Sequence, residues 1–479
     1  METKITFLSH ASFLVESNGK KLLFDPWLIG TCYWKSWWNY PEVNKDILND
    51  LNPDAIYITH VHWDHWHGPS LKKLFNKKIE IITHREPNDR SVNDLRKIGF
   101  QNITLLNHSE TYELGGIKIT PYQFGVFLND SAVVVETEKI TLLNANDCKI
   151  AGLSLRQIIS KHKKFDFALR SHSSANDRIC YSIKNEDSVL IDDNEHYSRS
   201  FKYFMDAVKP KFAIPFASNH CHLHKDVFHL NDYVTDPIIL EKNIKKLGGL
   251  KYSELQIMLS GDSWSSESGF SQDLNNREIF NNKNDYLISY RDKYSNSLNK
   301  FYQKEDNIKM NPLIIKKFSE QISYIPILLR SRLGDWSYAL NVSSENKDNN
   351  KYYKVIPKNA SIEEITFDEY NFHPSRIRIP IKIFLDSVML NMFHHGSISK
   401  RNKYEFDTIE DFNKYNLFQD LLEYVELQVF PLNIKYILRL FGKYILRWRE
   451  VLVYFTAVRI KLFQKKPMFL IEEDILKNT

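Results

Sequence analysis

Glycine and cysteine are both scarce in this chain, at 15 and 4 of 479 residues. No glycine-rich turn is available to cradle phosphates, which sets aside P-loop and dinucleotide-binding readings. Cys32, Cys148, Cys180 and Cys221 are scattered, with no Cys-x-x-Cys or Cys-x-His pair. That speaks against a zinc ribbon or a Rieske-type cluster on this chain, and unpaired thiols fit a reducing cytoplasm. No uncharged apolar run approaches the ~18 residues that a membrane span needs. Met1-Glu2-Thr3-Lys4-Ile5 leads straight into a strand pattern without the features of a signal peptide. The net charge of +5 is too small to argue for nucleic acid as a partner. Length alone suggests two domains.

Histidine is the residue that is concentrated. Fourteen of the seventeen lie before residue 230, which localises any metal chemistry to the first half. The densest stretch is Thr59-His60-Val61-His62-Trp63-Asp64-His65-Trp66-His67-Gly68. It follows a short buried-strand pattern, Ala55-Ile56-Tyr57-Ile58, and precedes a helix that opens at Gly68-Pro69-Ser70. His60 and His62, two apart on extended chain, point the same way, while Asp64 and His65 face a neighbouring point. Imidazole and carboxylate suit zinc, iron or manganese, and two clusters side by side suit two metals.

Other segments place further polar groups at strand ends. Lys4 to Glu16 and Lys20 to Phe24 read as two strands joined at Asn18-Gly19, a hairpin signal. His10 falls in the middle of the first, and Asp25 ends the second, where it suits a carboxylate that orients a ligating histidine. Trp34, Trp37 and Trp38 crowd the following loop, as packing or as a substrate wall. Ile140 to Leu143 leads into Asp147, a metal ligand or a helix N-cap. Phe165 to Arg170 precedes His172. Phe212 to Phe216 runs toward His220-Cys221-His222-Leu223-His224.

The spacing H-x-H-x-D-H resembles the signature of the metallo-β-lactamase superfamily. Phe24-Asp25-Pro26-Trp27-Leu28, His60 to Leu74, Asn144 to Cys148, and Pro215-Phe216-Ala217 leading to His224 and Asn231-Asp232 are similar to the non-Rieske part of the CMP-N-acetylneuraminate hydroxylase family. The resemblance implies an α/β fold: an αββα sandwich over residues 1–265. A linker or helical excursion over 266–330 and a smaller mixed α+β, helix-rich domain over 331–479 are expected beyond it. It implies His60, His62, Asp64, His65, Asp147 and His224 as ligands of two divalent metals, iron or zinc. His224 is preferred to His220 and His222 for its distance from Pro215-Phe216-Ala217. Asp64 and His172 are the candidate catalytic residues, His10 and Asp25 support the ligands, and Arg170 and Arg178 would hold an anionic substrate. Two departures from the family stand out. The Rieske portion is absent, so electrons would come from a separate protein. Gly125 to Asp130 lacks the superfamily's usual histidine, leaving one metal with His60, His62 and Asp147 unless Asp130 or His172 completes it.

Three functions are weighed: an iron oxygenase hydroxylating a small nucleotide- or phosphate-linked sugar, a zinc metallohydrolase of a phosphodiester, lactone or amide, and a non-catalytic binding protein. His394-His395 reads as a surface pair. Between Pro431 and Lys466 there are nine Lys/Arg and one acid, Glu450. Ile434, Ile437, Leu438, Phe441, Ile445, Trp448, Leu452 and Phe455 recur at three- and four-residue steps, with Lys435, Arg439, Lys443 and Arg447 between them. The expectation is helices packed on the second domain with basic faces in water. The alternative is that 432–463 meets an anionic membrane or an acidic electron-transfer partner.

Overall fold

A computed structural model describes residues 1–125, 127–173, 175, 177–185, 194–273, 275–345, 349–454, 473, 475–477 and 479. Eight strands form the first sheet, in the order Gly269–Ser271, Ser263–Ser265, Thr3–Phe7, Phe13–Ser17, Lys20–Phe24, Ala55–Ile58, Glu80–His84, Ile103–Leu106. Seven form the second: Glu254–Leu255, Phe212–Pro215, Phe167–Arg170, Thr141–Asn146, Asp130–Glu136, Ile117–Phe124, Tyr112–Leu114. Alternation along each strand sorts the side chains. Ile5, Phe13, Val15, Leu22, Phe24 and Tyr57 meet Ile119, Val133, Val135, Leu142, Phe167 and Ile214 in one buried layer between the sheets. The opposite face of the first sheet, through Leu23, Ile56 and Ile81, packs on Leu71 and Leu95 of the Gly68–Leu74 and Arg90–Lys97 helices. The outer face of the second, through Val134, Leu143 and Ala168, packs on Leu155, Phe201, Phe204 and Leu240 of three more helices. The layers run α, β, β, α.

The first strand pattern is interrupted. Lys4 to Glu16 is an antiparallel hairpin that turns over at Leu8–Ser12, where the Leu8 N–H donates to the Ser12 carbonyl at 2.9 Å. His10 is therefore at a hairpin tip and not mid-strand. The turn at Asn18-Gly19 is where the sequence places it, with φ of 52° and 73°, the paired positive values that a tight hairpin demands.

Much of 266–330, expected as a linker or a helical excursion, is helical and packed. Gly269–Ser271 completes the edge of the first sheet, and helices from Asn275 to Asp306 bury Phe280, Leu287, Tyr290 and Leu298 against Trp38, Tyr40, Cys221 and Leu223. The polar residues that suggest a linker are the solvent faces of these helices. A third sheet, in the order Tyr181–Ile183, Lys403–Phe406, Ser375–Pro380, Tyr338–Ser343, Lys351–Ile356, Ser361–Glu364, forms the second half with the Pro312–Tyr324, Ile381–Leu390 and Ile409–Glu426 helices. Its edge strand comes from before residue 265, paired in parallel with Lys403–Phe406.

Charge as well as apolar surface joins the halves. Arg401 is almost fully buried and donates through Nη1 and Nη2 to Glu305, both at 2.8 Å, and through Nε to Asp226 at 2.9 Å. Burial opposes the charged state of Glu305, but bonds from His224 and Arg401 hold its carboxyl below the usual range; Arg401 does the same for Asp226. Removing the guanidinium would leave two carboxylates desolvated without a partner. Arg401→Leu is expected to destabilise the protein by about 3–5 kcal/mol, seen as a lower urea midpoint. Because both folded carboxyl pKa values are depressed, the network's contribution is complete above the ordinary carboxylate range and is lost as pH falls through the depressed values. The wild-type midpoint should therefore fall on acidification more steeply than that of the variant.

Candidate metal centre

The site is built from one buried carboxylate outward. Asp25, fully buried at the end of Lys20–Phe24, accepts the Thr59 N–H at 2.8 Å on Oδ1. Its Oδ2 accepts the Thr59 hydroxyl at 2.7 Å and the His65 Nδ1–H at 2.8 Å. Since the Thr59 hydroxyl donates to Asp25, its oxygen accepts from His60 Nδ1 at 3.0 Å. Both rings thus carry their proton on Nδ1 and turn Nε2 toward a common space. The His65 Nε2 is buried without a hydrogen-bond partner.

Two groups of three donors assemble there, each within 4.8 Å of one another: His60, His62 and Asp147, and His10, Asp64 and His65. In the first, His60 Nε2 is 2.9 Å from His62 Nδ1 and 3.5 Å from Asp147 Oδ1. In the second, His10 Nε2 is 3.1 Å and His65 Nε2 3.7 Å from Asp64 Oδ2. Asp147 Oδ1 also lies 3.6 Å from His65 Nε2, so one carboxylate faces both groups. The Tyr33 hydroxyl donates to Asp64 Oδ1 at 2.6 Å. Burial alone would raise the Asp64 carboxyl, but His65 and then His10 hold it well below the usual range. Burial likewise opposes a charge on His65, yet Asp147, Asp25 and Asp64 push it up to about 10. A field that holds a proton so firmly will also hold a cation, and the converging nitrogen and carboxylate donors fit two divalent metals.

Several expectations need correction. His10, read as a supporting residue, stands among the donors, because the hairpin tip turns its ring inward. His224 joins neither group: its nitrogens lie 3.5 Å from Asp226 and 3.7 Å from Glu305, in the Arg401 network. Of the three histidines near it, His220 faces the second group. Its ring stacks on Trp37 at 3.6 Å, lies 5.8 Å from the His10 ring, and its Nε2 has no hydrogen-bond partner. The Nδ1–H donates to the Ser218 carbonyl at 3.1 Å. Strand pairing of His220–His222 with Trp37–Asn39 sets this register, which a distance counted along the sequence misses.

His172 is fully buried and in neither group; burial, then the nearby His10, lowers its pKa to about 3. Arg170 is fully buried with its guanidinium 4.3 Å from the centre of the Phe204 ring, among the helices behind the second sheet, so it is not placed to hold a substrate. Arg178 is half-buried in the turn that enters the Tyr181–Ile183 strand. Asp130, at the start of its strand, is near enough to His60, Asp147 and His65 to feel their charges, and burial raises its carboxyl. Asp130 belongs to neither group of donors.

His394-His395 is not a surface pair. His395 is buried and bonds through Nδ1 to Glu426, with its ring 5.5 Å from His62 and 5.2 Å from Trp63. The His394 ring lies 5.4 Å from His62, and its backbone N–H donates to Glu426 at 2.6 Å. The second half of the chain closes over the first metal group, a contact no sequence spacing announces. The tryptophan loop belongs to the same joint: Trp34 donates to Asp386 at 2.7 Å and Trp37 to the Ile398 carbonyl at 3.1 Å.

The chain has sequence similarity to known proteins. Residues 4–125 match the family model described as a Beta-lactamase superfamily domain. It is similar to a Mycolicibacterium smegmatis protein bearing the name of a putative Rieske 2Fe-2S iron-sulfur protein, with 25% identity over 49% of this chain and 47% of that one. It is also similar to the cytidine monophosphate-N-acetylneuraminic acid hydroxylase of Pongo pygmaeus, with 32% identity over 31% of this chain and 26% of the hydroxylase. The match thus spans about half, or less, of the length of these curated relatives. Among solved structures, the diiron β-hydroxylase CmlA of Streptomyces venezuelae aligns with a TM-score of 0.36 and 15% identity, over 55% of this chain and 53% of that one.

Metal content provides the check on the ligand set. His62→Ala and His10→Ala are each expected to remove about half of the bound metal, and Asp147→Asn to weaken both positions. His67→Ala and His224→Ala should retain it. His67 caps the Gly68–Leu74 helix through Ser70, apart from both groups. Asp25→Asn should lower affinity about 10–100-fold while leaving the ligands intact. Elemental analysis and competition with a chelator read every one of these variants. Because metal must displace a proton from His65, apparent affinity should rise with pH, by up to about tenfold per unit below about 10.

Proposed function

We propose that this protein is a metal-dependent oxygenase that hydroxylates a small anionic, nucleotide- or phosphate-linked sugar, with electrons supplied by a separate protein. The observation that carries this reading is the composition of the two donor groups. Each holds two imidazoles and one carboxylate, His60, His62 and Asp147 in one and His10, His65 and Asp64 in the other. Two histidines with one carboxylate leave positions open, as in non-haem iron oxygenases. The similarity to hydroxylases over 164 residues supports the same reading. An iron pair bound there would supply the oxygen activation that no side chain provides.

The residues of the chain do the rest. Asp25 and Thr59 fix the orientation and tautomer of His65 and His60. Tyr33 keeps a neutral hydroxyl donating to Asp64: burial, and then the carboxylate itself, raise its pKa well above normal. Trp63 and the His395–Glu426 pair cover the side of His62 from water.

A second reading, a two-metal hydrolase, is favoured by the position of Asp147, whose Oδ1 faces His60 at 3.5 Å and His65 at 3.6 Å. A carboxylate shared in this way suits a metal pair that activates a bridging water. The two readings separate on loading. Protein reconstituted with Fe(II) without oxygen, then given a reduced ferredoxin-type protein, O2 and a nucleotide-linked acidic sugar, should yield a product heavier by one oxygen. Asp147→Asn should lower that yield at least about tenfold. If only the zinc form turns over, cleaving a phosphodiester or lactone with no oxygen incorporated, the hydrolase reading replaces the first.

A further inference from the structure

The basic segment near the C-terminus packs the opposite way from the sequence expectation. The Ile434–Leu446 helix starts at Asn433, whose side chain accepts the Lys435 N–H. Three of the segment's cations reach the protein. Arg439 donates to Asp89 at 2.8 Å, Lys443 to the Gln123 side chain at 3.2 Å, and Arg447 to the Gln123 carbonyl at 2.7 Å. Tyr436 is buried and Leu440 partly so, and these hold the helix against the second half. The large apolar side chains point away. Ile434 is 73% exposed, Phe441 61% and Leu446 85%, with Leu438, Ile445 and Trp448 also exposed. Residues 455–463 of the stretch singled out in the sequence lie outside the described residues.

A ridge of this size is costly to leave in water, and it is larger than the scattered apolar residues of an ordinary surface. Its charge identifies what covers it. Between Gln428 and Arg449 the chain contains five cations and no carboxylate. Lys435 and Arg449 are exposed beside the apolar side chains, and the Arg449 guanidinium lies 5.4 Å from the Trp448 ring. Apolar side chains with an aromatic at one end and cations at the margin, on a helix about 20 Å long and the residues just after it, have the composition of elements that lie in a bilayer interface. Among the described residues no helix is long and apolar enough to cross a membrane, which leaves the in-plane arrangement. A convex single helix also needs no shaped groove when the opposing surface is fluid. We infer that this helix and the residues just after it dock the protein on an anionic lipid surface, with Ile434, Leu438, Phe441, Ile445, Leu446 and Trp448 sunk among the headgroups and acyl chains, and Lys435 and Arg449 against lipid phosphates and carboxylates. This goes beyond the proposed reaction and does not depend on it.

Flotation of the full chain with phosphatidylcholine vesicles, with and without phosphatidylserine, tests the inference. The protein should float with the phosphatidylserine vesicles at low ionic strength and be released as salt is raised. Leu438→Glu and Phe441→Glu should each weaken binding at least roughly tenfold. Lys435→Gln and Arg449→Gln should weaken it roughly fivefold each, and only on the anionic vesicles. Thermal melting should be unchanged in all four variants, because the substituted side chains are in water. Failure to float at low salt overturns the inference, as does binding that ignores phosphatidylserine, salt and the four variants. Without flotation, a concentration-dependent oligomer abolished by Phe441→Glu would assign the face to a second copy. A lower melting temperature in that variant, again without flotation, would assign it to residues of the same chain. Either result overturns the lipid surface.

Discussion

The buried carboxylate of Asp25 is the constraint on which the rest of the metal centre depends. It is fully removed from water and spends both oxygens on three donors, the Thr59 N–H, the Thr59 hydroxyl and the His65 Nδ1–H. Those bonds tie the end of one strand, Lys20–Phe24, to the end of its parallel neighbour, Ala55–Ile58. They also decide which nitrogen of two rings is free to bind a metal. A buried carboxylate with fewer partners would be costly, so the strand ends, the turn from His60 to His65 and the ring tautomers form one cooperative arrangement. Asp25 itself sits at φ 38°, a backbone conformation that non-glycine residues adopt rarely and that its three hydrogen bonds sustain.

The parts of this arrangement that are close together along the chain are legible in the sequence alone. The motif from His60 to His65, the strand before it and the helix after it lie within twenty residues, and the spacing by itself places the donors together. Asp25 and Asp147 are farther away but each closely follows a strong apolar run, and the end of a buried strand is where a fold presents polar groups. His10 is harder to place, because the thirteen residues from Lys4 to Glu16 contain enough apolar positions to look like one strand. Only the antiparallel pairing of Thr3–Phe7 with Phe13–Ser17 reveals the tip. Counting along the chain favours His224 over His220. The choice is made instead by a two-stranded ladder with Trp37–Asn39, nearly two hundred residues upstream. Register between distant segments is set by tertiary pairing, and one strand's sequence without its partner does not display it.

The C-terminal helix shows a related limit. Its three- and four-residue periodicity correctly indicates an amphipathic helix, and the Ile434–Leu446 helix is present. Periodicity defines two faces but not which one turns inward. Burying the apolar face is the usual outcome, since each large side chain removed from water contributes about 1.5–3 kcal/mol. Here the inner surface offers carbonyl oxygens of Arg85 and Gln123 and the carboxylate of Asp89, which match guanidinium and ammonium groups and not hydrocarbon. The polarity of the receiving surface therefore decides the orientation, and that surface is assembled from residues more than three hundred positions away.

The same long-range logic makes the two halves of the chain one functional unit. Trp27, Tyr33, Trp34 and Trp37 from the first half share a single apolar cluster with Ile383 and Ile398 from the second. Tyr33 in that cluster is also the donor to Asp64, and Trp37 is the surface on which His220 stacks. Residues that touch the donors are thus held in place by residues beyond position 380. On the other side of the centre, His395 and Glu426 approach His62 and Trp63 from the second half. An αββα sandwich cut away from these elements would keep its sheets, because the Asp25 bonds and the apolar layer between the sheets lie within it. It would lose the packing that fixes Tyr33 and Trp37, and with it the dry, rigid wall that lets closely spaced donors hold two cations without competition from water.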